Sequence, residues 1–131
     1  MTEAQLERIG KDACSLADAL VENENVPFHH SVIRNRRNGY CRYHNGTYQL
    51  IFSWDMLKYC YESGYPWWRI NAQVWPDKVA GMRGVYRHVL HEVAHVRQIR
   101  FGEQWRGSVH NRFFVRRLRE LVQETSTYVA Y

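Results

Sequence analysis

A chain of 131 residues suits one domain, because this length buries a single core efficiently and rarely supports two. Hydrophobic residues make up 45% and charged residues 24%, the usage of ordinary folded domains, which excludes disordered and fibrous classes. The net charge of +5 divides into −4 on residues 1–25 and +9 on the remainder, a field that attracts polyanions, nucleic acid first, without choosing among them.

Thr2 followed by Gln5 has the form of a capping box, and Leu6, Ile9, Ala13, Leu16, Ala17 and Leu20 recur at helical spacing, so residues 3–22 are predicted to form an amphipathic helix. After Pro27 the pattern turns β-like. Segments at Ser31 to Arg34, Gly39 to His44 and Thr47 to Ser53 are expected to form a small antiparallel sheet, with Asn45-Gly46 as a type I′ hairpin turn. Ser53 can cap a short helix through about Tyr61, and Gly64-Tyr65-Pro66-Trp67-Trp68 then forms an aromatic loop. A long helix is predicted from Asp77 to about Arg100, stopping at Gly102, with Met82, Tyr86, Val89, Val93 and Val96 as its buried stripe. The last helix is predicted from near Ser108 to about Ser126, with Phe113, Phe114, Leu118, Leu121 and Val122 inward.

No apolar run approaches the length that spans a bilayer, and the acidic start Met1-Thr2-Glu3 is unlike a signal peptide, so no membrane partner and a cytoplasmic location are expected. Cys14, Cys41 and Cys60 are odd in number and form no CxxC pair, which argues for reduced core residues over a disulfide framework or a four-cysteine zinc site.

The chemistry concentrates in His91-Glu92-Val93-Ala94-His95. Residues four apart on a helix differ by about 40° in azimuth and one turn in height, so His91 and His95 can present imidazoles to one cation. Glu92 lies between them in angle, placed to act on a metal-bound water as general base. Neutral imidazoles suit Zn2+, and a third protein ligand leaves a fourth position for water, whose pKa the ion lowers. His110, fifteen positions after His95, is the preferred third ligand, and Glu120 and Glu124 are the alternatives. The apolar neighbours Val89, Leu90, Val93, Ala94 and Val96 make unpartnered imidazole and carboxylate groups costly there, which favours a site over chance histidines on a surface helix.

HEVAH with a histidine after fourteen intervening residues resembles the SprT-like (Spartan-type) zinc metallopeptidase domain. Upstream, Gly39-Tyr40-Cys41-Arg42-Tyr43, Gln49-Leu50-Ile51-Phe52-Ser53 and Leu57 are similar to that family's hairpin ending in a serine, followed by an apolar helix. The resemblance covers about residues 38–122. It implies an α+β, minimal zincin-like fold: a small antiparallel sheet packed with an N-terminal helix and a C-terminal active-site helix pair, the edge strand able to receive an extended peptide. It also implies His91, His95 and His110 as zinc ligands, Glu92 as base, and substrates among proteins on or crosslinked to DNA. Arg97 stands two positions after the second motif histidine, where zinc peptidases usually carry an apolar residue, and is read as marking an exposed end of the helix.

His88 precedes His91 by one helical turn and is a candidate for orienting the ligands or steadying the transition state from behind them. Arg112, Arg116 and Arg119 share one helix face and are candidate nucleic-acid contacts. Arg36-Arg37, Tyr40, Tyr43, Trp67 and Trp68 add cationic and stacking groups, and arginine outnumbers lysine fifteen to three, a bias that suits phosphate recognition. Two functions are therefore weighed: a zinc endopeptidase acting on protein or peptide, and a nucleic-acid-binding module with a structural or vestigial zinc site.

Overall fold

Helix α1 covers Glu3–Glu22, and its start is the expected capping box: the Thr2 hydroxyl accepts from the Gln5 N–H at 3.1 Å while Gln5 Oε1 accepts from the Thr2 N–H at 2.7 Å. Ile9, Ala13, Ala17, Leu20 and Val21 are buried, and Glu3, Glu7, Asp12, Asp18 and Glu22 face solvent. The computed structural model describes residues 1–33, 40–64, 73–105 and 109–131, and among them the chain is α+β, with four helices and one three-stranded sheet. Arg34, Arg36, Arg37, Gly39, Tyr65 to Trp68 and Ser108 lie outside the described residues.

The strands are β1 (Phe28–Ile33), β2 (Tyr40–His44) and β3 (Thr47–Ser53), in the order β1-β3-β2. β2 and β3 pair antiparallel through the predicted hairpin, where Asn45 (φ 50) and Gly46 (φ 78) both take the positive φ that a type I′ turn requires. β1 pairs parallel with β3, so the sheet is mixed and not antiparallel as expected. Alternation identifies a strand and its buried face but carries no direction, and a pair without a local turn takes its direction from the connection. On β3, Tyr48, Leu50 and Phe52 face the core. The opposite face carries a polar row, in which Gln49 accepts from Arg42 Nε at 2.6 Å and meets His29 Nε2 at 3.3 Å.

Helix α2 (Trp54–Ser63) starts on Ser53, whose hydroxyl accepts from the Met56 N–H at 3.0 Å, and buries Leu57 and Cys60. Helix α3 covers Met82–Arg100 and begins five residues later than the predicted Asp77. Gly81 stands at φ 79 outside the helix, and its N–H bonds the Tyr61 carbonyl at 2.7 Å, tying residues 77–81 to the end of α2. Gly64 closes α2 at φ 90, and a Cβ there would lie 2.8 Å from Lys78, so glycine is needed for this close approach. Helix α4 covers Arg112–Thr125 with Asn111 as N-cap, four residues after the predicted start near Ser108. The Asn111 side chain accepts from the N–H groups of Phe113 and Phe114 at 3.0 and 3.2 Å.

α3 is the centre of the molecule, packed against α1, α2, α4 and the sheet. Its burial extends round the whole circumference from Gly84 to Gln98, Tyr86 excepted, well beyond the predicted stripe. Val85, Val89, Leu90, Val93 and Val96 are fully buried, each contributing about 1.5–3 kcal/mol. Among the described residues no helix is long and apolar enough to cross a membrane.

Candidate metal centre

His91, Glu92 and His95 lie in the middle of α3 at 5, 7 and 7% exposure. His110 stands on the segment between α3 and α4, just ahead of the Asn111 cap, where it is exposed. The sequence reading placed it at the start of the last helix. It nevertheless meets the motif: His110 Nε2 lies 3.0 Å from His91 Nε2 and 3.2 Å from His95 Nε2. The three ring centroids are 4.9 to 5.0 Å apart. Fully buried Phe114, from the first turn of α4, lies against all three imidazoles with centroids 4.6, 4.6 and 5.1 Å away, forming a common apolar floor.

The protonation states fit a cation. Burial drives His91 well below the ordinary imidazole range, with the neighbouring imidazoles adding to it, lowers His95 to about 4 and also lowers His110. Three neutral rings thus turn one nitrogen each toward one point. Zinc–nitrogen bonds of about 2.0–2.1 Å in a tetrahedron separate ligand nitrogens by roughly 3.3 Å, close to the spacing here. Hydrogen bonds account for the cluster less well, because a neutral imidazole has one N–H and the His110 nitrogen approaches two others. These three histidines can therefore hold a metal ion, and among the described residues no other such cluster forms.

Glu92 is adjacent on the helix, and burial alone raises its carboxyl to about 8. The Cys41 thiol on β2 is held well above its ordinary value by burial first and by the Glu92 charge second, which puts Glu92 on the side of α3 that faces β2. A cation at the histidines pulls in the opposite direction and favours the carboxylate.

Glu120 and Glu124, the alternative ligands, are directed elsewhere. Glu124 accepts from Arg97 at 2.6 and 3.1 Å, and Glu120 from Arg117 at 3.2 Å. Arg97 is not an exposed helix end: it is 8% exposed and also bonds buried Glu24, which Arg100 shares. Its fork matches two carboxylates, so a charged residue is held at a position where an apolar one was expected.

His88 is 3% exposed, packs edge-on to Phe52 at 5.7 Å and is lowered to about 4 by burial, so it is a neutral ring in the core. Arg112, Arg116 and Arg119 are exposed on α4. The first two lie over the Phe113 ring at 5.1 and 5.6 Å, and Arg119 donates to the Gln73 carbonyl at 3.0 Å.

Gln98, which no sequence motif marks, also belongs to the centre. It is fully buried, and its Oε1 accepts from His95 Nδ1 at 2.6 Å while its Nε2 donates to the Val109 carbonyl at 2.7 Å. The signal was available: Gln98 follows His95 by three positions and His91 by seven, which puts all three on one helix face.

Comparison with protein-family models, curated proteins and solved structures found no match to this chain.

Proposed function

We propose that the chain is a zinc-dependent metalloendopeptidase of the SprT-like, minimal zincin kind, acting on proteins associated with or crosslinked to DNA. The observation that carries this reading is the convergence of His91, His95 and His110 Nε2, with Glu92 buried on the same helix. A zinc ion, when bound, supplies a Lewis acid that polarises the scissile carbonyl and makes a water acidic enough to attack near neutral pH. Glu92 takes the proton from the attacking water and returns it to the leaving amine, splitting the peptide bond. His91, His95 and His110 hold the ion, and Phe114 packs against all three rings. Outer strand β2, which packs against α3 on the Glu92 side, is suited to pair with an extended substrate.

The test is zinc content and cleavage of a DNA-bound protein by wild type and Glu92→Gln. The variant is expected to retain zinc and to cleave at least about 100-fold more slowly. Cleavage at the wild-type rate by a zinc-loaded variant sinks the enzyme reading. It would leave the second one, a nucleic-acid-binding module with a structural zinc, which is favoured by exposed Arg112 and Arg116 flanking Phe113.

A further inference from the structure

The metal centre draws its ligands from two elements: His91 and His95 from the rigid interior of α3, and His110 from the connecting segment. A helix fixes the first two relative to each other within the limits of their rotamers. It does nothing for the third. A connecting segment must be tied down by identifiable bonds if its histidine is to stand within about 0.5 Å of a productive position.

Gln98 provides those bonds and reaches both halves at once. Its carbonyl oxygen accepts the His95 Nδ1 proton at 2.6 Å, which fixes the tautomer and leaves the Nε2 lone pair directed at the centre. Its amide nitrogen donates to the Val109 carbonyl at 2.7 Å and to Asn111 Oδ1 at 3.3 Å, the residues on either side of His110. Asn111 carries the tie onward, donating to the Glu103 carbonyl at 2.8 Å and accepting from the first turn of α4. Gln98 is fully buried, so water cannot replace these bonds at low cost. The amide is also the one side chain here that can serve both ends: one end must accept and the other must donate, and the assignment of O and N follows from the two partners.

We infer that Gln98 is the positioning residue that assembles the metal centre, orienting His95 with its oxygen and holding His110 in place with its nitrogen. The inference rests on the reading of the three histidines as metal ligands. It concerns metal affinity and ring orientation, not the hydrolytic step.

Two substitutions separate the two ends. Gln98→Leu removes both, whereas Gln98→Glu keeps an acceptor for His95 and sets a carboxylate oxygen against the Val109 carbonyl and Asn111 Oδ1. The measurement is zinc affinity by competition with a chromophoric chelator, on the full chain, alone and combined with His110→Ala. Gln98→Leu is expected to weaken zinc binding about 10- to 100-fold. Gln98→Glu should also bind more weakly than wild type, but should cost nothing further once His110 is gone. Gln98→Leu should cost more in that background, because the His95 end is still lost.

A readout independent of metal is nitrogen NMR of the metal-free protein near pH 7.5. It should place the His95 proton on Nδ1 in wild type and in Gln98→Glu, and shift it toward Nε2 in Gln98→Leu. Wild-type zinc affinity in both variants, with the His95 tautomer unmoved, overturns the role of Gln98 and leaves the metal reading standing. Failure of wild type to bind zinc more tightly than His91→Ala overturns the metal reading and this inference with it.

Discussion

Two polar clusters are buried on α3, one residue apart in sequence at Arg97 and Gln98, and they are built on opposite principles. Around Arg97 every charge meets its opposite within the protein: Glu24 and Glu124 accept from it, and Arg100 shares Glu24. Around His95 the groups are neutral and their ring nitrogens converge, and the nearby Glu92 carboxyl on the same helix keeps its proton through burial. The first cluster is complete as it stands and ties the segment after α1, and α4, to α3. The second leaves three converging imidazole nitrogens that a cation could satisfy. Buried polarity alone does not separate a site from a strut; what separates them is whether the donors and acceptors saturate one another.

The contrast can be broken by pH. In the metal-free protein His88 and His95, each lowered to about 4, and His91, held well below the ordinary imidazole range, take up protons more readily unfolded than folded. Stability should therefore fall as pH drops from about 6.5 toward 4, by on the order of several kcal/mol. Glu92, raised to about 8, acts in the opposite sense: the folded state binds the extra proton, so stability is also lost as pH rises toward 8. Urea midpoints of the metal-free chain should peak near pH 6.5, and Glu92→Gln should remove the decline on the alkaline side. A flat profile between pH 4 and 8 would mean that the histidine cluster is not desolvated.

A smaller effect is expected from the other cluster. Glu24→Ala leaves Arg97 and Arg100 short of a buried carboxylate and should cost about 3 kcal/mol in denaturant unfolding, while zinc affinity stays at the wild-type value. Coupled loss of zinc in that variant would show that the two clusters are one unit. The smallest change should come from Arg112→Ala with Arg116→Ala, exposed residues whose joint removal should move stability by no more than about 0.5 kcal/mol. If the second function holds, the same pair should lower the salt slope of nucleic-acid binding by about 1 per residue. An unchanged slope would remove these arginines from any phosphate contact.

What could be read from the chain follows the range of each signal. Local signals held: Thr2 and Gln5 start α1, Ser53 starts α2, Asn45-Gly46 turns the hairpin, and β3 has the predicted ends. Signals depending on distant partners did not. The direction of β1 depends on which side of β3 is free, and the late start of α3 depends on Gly81 reaching Tyr61. Of the candidate site, the HEVAH spacing placed two imidazoles on one face by helix geometry alone. The approach of His110 came from motif distance, and only the folded chain shows its nitrogen beside theirs. The burial of Arg97 is not legible locally, because its partners, Glu24 and Glu124, are 73 and 27 residues away. Gln98 is not marked by the sequence, because an amide carries no charge and belongs to no motif.

The seat of His110 between two helices also has a consequence for how the chain folds. His95 and His110 lie fifteen positions apart, and an ion gripping both ties that stretch into a ring, restricting the open chain much as a crosslink across a short loop does. Because the open chain offers no such pocket, each tenfold excess of free metal over its dissociation constant adds about 1.4 kcal/mol to the folded side. Melting temperature would then be a gauge of metal supply, and a cell short of the ion would hold this chain closer to its unfolding threshold.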